Sequence, residues 1–170
     1  MAKTREMQEQ AVFFPISSEK LIELSLATFG LFGLYWTLRH WQQIEYRGTA
    51  VSSVIRAMCF PVTQYDLYRR IHGAADGEHR PRWHPLRLYA LYLIFTLLPI
   101  YMVLTEHYWG VLSYMLTLLP NLLVNQTVNK IHDDHLNSFS RNSDLDAIDW
   151  SILIAGLICW LTLLAYGIQS

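Results

Sequence analysis

The chain has 170 residues and a formal net charge of −1, enough for one domain and too neutral to argue for a nucleic-acid partner. Hydrophobic residues make up 52% and charged residues 16%, against roughly 25% charged in soluble domains. Two cysteines are too few for a disulfide framework.

The opening MAKTREMQEQ is polar and mixed in charge, with neither a cleavable signal pattern nor a lipidation box. FFPISSEK then reads as a lead-in, with Ser17 or Ser18 as helix N-cap and Glu19 and Lys20 in the first turn. Apolar runs follow at about 21–38, 86–104, 110–128 and 151–168, the third reaching its length if VNQTV continues the helix. A mostly apolar segment of about 17–25 residues can cross a bilayer. The expectation is an all-α polytopic membrane protein, a single domain over 1–170 with about four membrane helices plus an amphipathic interfacial helix.

In the first run, Gly30, Gly33 and Thr37 share one helix face and suit the close approach of another helix. Tyr35, Trp36 and Trp41 group at its end, as an aromatic belt does at headgroup level. The two glycines leave open an alternative, a first segment that turns back instead of crossing.

Residues 39–85 form a cytoplasmic or interfacial loop that, with Arg87, carries eight of the thirteen basic residues. VSSVIRAMCF (51–60) is the amphipathic stretch, and Pro61 marks a break. Arg56, Arg69, Arg70, Arg80, Arg82 and Trp83 form an arginine-aromatic layer suited to lipid headgroups or a partner. Positive-inside anchoring explains the same residues. By that rule the loop is cytoplasmic, and four crossings put both termini outside.

The third run ends in LLPNLLVNQTVNKIHDDH, where Asn121, Asn125 and Asn129 recur every four residues as a stripe on one face. Such amides either bond across to neighbouring helices or line a cleft or an oligomeric pore. Pro120 predicts a kink. His132, Asp133 and His135 offer imidazole and carboxylate to a metal, although no metal signature matches and interfacial polarity accounts for them too. No nucleophile–base set and no phosphate loop is visible, so neither catalytic nor cofactor-binding residues are assigned.

FFPISSEKL, TFGLFGLYWTLRHW, IRAMCF with YDLYRRI, NLLVNQTVNKIH and AIDW…GLICW together resemble a family of small uncharacterised bacterial inner-membrane proteins. Phe14, Pro15, Ser17, Lys20 and Leu21 fit its opening motif. Thr28, Gly30, Tyr35, Trp36 and Trp41 fit its first helix, Arg56 and Phe60 the next segment, and Asn125, Gln126 and Asn129 the last. Phe32 stands where a Tyr is expected. The resemblance implies an architecture and an inner-membrane location, with no activity attached. Because packing and interface placement account for nearly every polar residue, the function expected is non-enzymatic: an accessory or assembly subunit, or a homo-oligomer, in contact with membrane lipids. The alternatives are a protein handling a metal or small ligand at a site of His132, Asp133, His135 and Asn129, with or without enzymatic activity, and a pore formed by an oligomer.

Overall fold

The computed structural model describes residues 13–44, 50–75, 80–135 and 142–169, and among them every regular element is helical. In chain order these are α1 (Ser18–Ala27), α2 (Phe32–Ile44), α3 (Ala50–Met58), α4 (Phe60–Ala74), α5 (Pro85–Leu104), a 3₁₀ segment (Tyr108–Thr117), α6 (Leu118–His135) and α7 (Ala147–Gln169).

The single helix expected over 21–38 is instead two helices. Ser17 caps α1, its hydroxyl accepting from the Lys20 N–H at 3.2 Å. The helix ends where Phe29 takes a left-handed φ of 54°. Gly30 N–H then reaches back to Ser25 O at 2.6 Å and Phe29 N–H to Leu26 O at 3.5 Å. That bond pair is the usual left-handed helix stop. Gly30 itself has φ 88°, and a Cβ there would stand 2.9 Å from the Tyr114 carbonyl oxygen, so both conformation and space require glycine.

After the turn α2 runs back alongside. Phe14 N–H donates to His40 Nδ1 at 3.3 Å, which puts the start of α1 beside the last turns of α2. Helices of ten and thirteen residues are about 15 and 20 Å long. α1 and α2 are thus a short helical hairpin with its tip at Thr28–Leu31.

A second hairpin follows in what was expected to be a loop with one interfacial helix. α3 ends at Met58 and α4 starts at Phe60, with Pro61 in its first turn. A missing backbone N–H costs nothing there. Thr63 Oγ1 donates back to Arg56 O at 2.6 Å and closes the bend.

Cross-contacts set the directions. Gly33 lies against Asn121, Trp36 against Asn125 and Thr37 against Gln64, so α2, α4 and α6 run the same way. α5 runs opposite to α4, since Phe60 meets Tyr92, Tyr65 meets Tyr89 and His72 meets Trp83. Beyond α5 the 3₁₀ segment folds back onto it and passes into α6 at Leu118. The helix expected at 110–128 thus begins as 3₁₀. Pro120, expected to kink it, sits in the first turn of α6, where proline is tolerated.

α7 starts with a reciprocal cap. Asp146 Oδ1 accepts from the N–H groups of Ile148 and Asp149 at 2.9 Å each, and Asp149 Oδ2 accepts from Asp146 N–H at 3.0 Å. It packs on α1 through Gly156, which touches the Ala27 carbonyl, and through Trp160, whose ring stacks 4.4 Å from Phe29.

The interior is unusually polar and the exterior unusually apolar. Lys20, Gln64, Asn121, Asn125, Asn129, His40 and His132 are buried, whereas Met58, Val62, Ile94, Leu97, Leu104, Ile154, Leu157 and Leu161 are exposed. α5 is long and apolar enough to cross a membrane, with mean hydropathy 1.8 and only 22% of the window buried. α7 carries a shorter apolar stretch, Ala147–Leu163.

Candidate functional site

The chemistry is concentrated in a polar seam along α6. Asn121 Oδ1 accepts from the Tyr68 hydroxyl at 2.8 Å and from Gln64 Nε2 at 3.2 Å, and Gln64 Oε1 accepts from Thr37 Oγ1 at 3.2 Å. One turn on, Asn125 Oδ1 accepts from Trp36 Nε1 at 3.4 Å, while Asn125 Nδ2 donates to Ile16 O at 3.0 Å. A further turn on, Asn129 Nδ2 donates to the same carbonyl at 3.1 Å. The four-residue asparagine period thus lines the amides up against the lead-in, α2 and α4.

Gly33 and Thr37 face into this packing, whereas Gly30, expected on the same helix face, lies in the turn before α2 against Tyr114. A Cβ at Gly33 would stand 3.0 Å from Asn121 Nδ2, and Thr37 is buried on Gln64. The expected small-residue face is occupied within the chain itself. A close helix–helix approach that was not expected is Gly156 on Ala27, signalled in the sequence only by one glycine inside an apolar run.

At the end of α2, His40 is fully buried between Phe13, Phe14 and Trp36, with the Trp36 ring 4.2 Å away. Burial first, and neighbouring His132 second, push its imidazole down to about 3. Nδ1 accepts from Phe14 N–H, so the neutral ring carries its proton on Nε2. His40 Nε2 and Asn129 Oδ1 find no hydrogen-bond partner among the described residues.

The candidate metal ligands diverge. His132 turns inward and is buried, Asp133 is exposed, and the His135 side chain lies outside the described residues. Among the described residues no three His, Cys, Asp or Glu gather closely enough to hold a metal ion.

The arginine-aromatic layer is built around Asp66 and Trp41. Asp66 pairs with Arg69 at 3.0 Å, Arg70 at 2.9 Å and Arg56 at 3.9 Å. Partial burial alone raises the Asp66 carboxyl; hydrogen bonds and charge from Arg70 and Arg69 outweigh it and hold the carboxyl below its usual range. Arg56 and Arg70 also stand over the Trp41 ring at 4.8 and 5.8 Å. Trp83 donates to Thr127 Oγ1 at 3.2 Å and packs on Tyr68 and His72, while Arg80 and Arg82 are exposed beside it.

Sequence reasoning missed one buried ion pair. Lys20, 2% exposed, pairs with Asp149 and donates to Asp144 O at 2.7 Å and Asn142 Oδ1 at 3.1 Å. It ties the start of α1 to the start of α7, 129 positions away by number, with no local pattern to announce it.

Comparison with protein-family models, with curated proteins and with solved structures finds no match.

Proposed function

We propose that the chain is a polytopic helical protein of the bacterial inner membrane, acting without chemistry of its own as an accessory or assembly subunit. The observation that carries this reading is the inversion of polarity. α5 exposes Ile94, Leu97, Ile100 and Leu104 to its surroundings, while Asn121, Asn125 and Asn129 are buried alongside the hydrophobic core. In water that arrangement forfeits burial at roughly 1.5–3 kcal/mol for each large side chain. In a bilayer it is the expected one, because lipid covers the apolar faces and amides bond between helices.

The exposed faces also change character together. On α6 they pass from Leu119 and Leu123 to Gln126, Lys130 and Asp133, and on α1 from Leu26 to Glu23 and Glu19. Both polar ends lie on the side of the arginine-aromatic layer, whose exposed Arg69, Arg80 and Arg82 suit anionic headgroups.

In this reading α5, the 3₁₀–α6 path and α7 cross the membrane. The α1–α2 and α3–α4 hairpins enter from the arginine side and turn back, which protein-buried backbone permits. With three crossings, the lead-in lies inside and the end of α7 outside. The seam's amides act as bonds between helices, and the outward faces of α5 and α7 remain for lipid or a partner. The resemblance to small inner-membrane proteins points the same way.

Alkaline carbonate extraction of membranes from expressing cells tests the reading. The protein should stay in the pellet and need detergent for release. Release by carbonate alone would overturn the proposal.

A further inference from the structure

Resting on that membrane reading, we infer that the protein holds the acyl chain of a bilayer phospholipid in an intramembrane cleft beneath its two hairpins.

The cleft has a volume of about 820 Å³ and lies between the far halves of α5 and α7. Its roof is the two tips, Phe29 and Leu31 from one hairpin and Phe60 from the other. Its walls include Ile100 on α5 and Cys159 on α7. It exists because the hairpins stop partway: α5 and α7 continue for several turns where α1 to α4 supply nothing to fill the space between them.

The lining selects hydrocarbon. The three hydroxyl residues of the lining are already engaged, Thr96 Oγ1 donating to Tyr92 O and Thr162 Oγ1 to Ile158 O at 2.9 and 2.8 Å, and Tyr114 bonding to the Tyr92 side chain. None of them needs to take a headgroup or ester. Apolar cavities of this kind stay dry, and the cleft opens onto the apolar faces of α5 and α7, so the molecule beside it in a bilayer is lipid.

The shape separates a lipid chain from a partner helix. A helix crossing the whole membrane would run into the roof of Phe29, Leu31 and Phe60, whereas an acyl chain needs only one leaflet of about 15 Å. A slender acyl chain fits without moving α7. It enters sideways from the leaflet remote from the arginines, with its headgroup beyond the cleft.

The full chain, reconstituted in liposomes of phosphatidylcholine with a photoactivatable diazirine on the acyl chain, provides the test. Adducts should concentrate on peptides carrying Phe29, Ile100 and Cys159 and should survive exchange into lipid-free detergent before irradiation. Adducts on the outward face of α5, at Ile94 and Leu97, should wash away. Leu34→Trp narrows the cleft from the hairpin side and should cut the retained labelling about tenfold, a change worth about 1.4 kcal/mol. Thr162→Trp narrows it from α7 and should do the same if the first variant misfolds. Equal labelling of cleft and outer face, lost together on detergent exchange, would overturn the inference and leave the membrane reading intact. Cleft peptides crosslinked to a second copy or to another protein would also overturn it. A chain released from membranes by carbonate would remove both readings.

Discussion

Asn121 is the side chain on which three elements converge, because its one carbonyl oxygen serves both Tyr68 on α4 and Gln64, which in turn holds Thr37 on α2. Asn121→Leu leaves a buried hydroxyl and a buried amide without their acceptor. The expected loss is about 1–3 kcal/mol, and adding Tyr68→Phe should return part of it; thermal unfolding in detergent reads both. His40 gives a different signature. Its imidazole sits at about 3 in the folded chain against 6.5 when free. Above pH 6.5 both states are neutral and the residue contributes no slope. Between 6.5 and 3 the unfolded chain binds a proton that the folded chain refuses, so stability falls as pH falls, by up to about 1.4 kcal/mol per unit. His40→Phe should lose the Phe14 hydrogen bond at pH 7 and flatten the decline between pH 6 and 4. An unchanged slope in the variant would show that other groups cause it.

Helices α5 and α7 were legible in the sequence as helices, because uninterrupted apolar runs of that length exceed what a strand accommodates. The asparagine stripe was legible as a face, since a four-residue period on a helix keeps side chains together, but its partners were not. The α1–α2 turn was concealed for a local reason. Its left-handed stop falls on Phe29, where glycine is usual, and the apolar pattern continues across it. What reverses the chain is the contact of His40 with Phe14, twenty-six positions earlier, which no window of helical period contains. Only the alternative attached to Gly30 and Gly33 anticipated it. The docking of α7 depends on similarly distant partners. Lys20→Met would strand the Asp149 carboxylate in a buried site, at an expected cost of about 3–5 kcal/mol. Lys20→Met with Asp149→Asn keeps the cap on Asp146 while removing the stranded charge, and should recover much of that loss. Limited proteolysis at the start of α7 should follow the same order, fastest in the single variant.

At the scale of the whole molecule the hairpins decide the topology of the proposed membrane arrangement. A first segment that crossed would put the lead-in opposite the arginine layer, and four crossings would return the end of α7 to the lead-in's side. A first segment that turns back puts Glu19 and Arg82 on one side, Glu106 on the other, and leaves three crossings. All three residues are exposed, so each can carry a reporter without disturbing a buried contact. In a background with Cys59 and Cys159 replaced by serine, single Glu19→Cys, Arg82→Cys and Glu106→Cys variants separate the two arrangements. A membrane-impermeant maleimide added to spheroplasts should label Cys at 106 and spare 19 and 82. Inverted vesicles should give the opposite pattern. In the proposed membrane arrangement, the arginine count around residues 39–87 assigns that side to the cytoplasm under the positive-inside rule. Labelling of position 19 from the outside, with 82 protected, would restore the full crossing. It would also require the Phe14–His40 contact to be absent in the membrane.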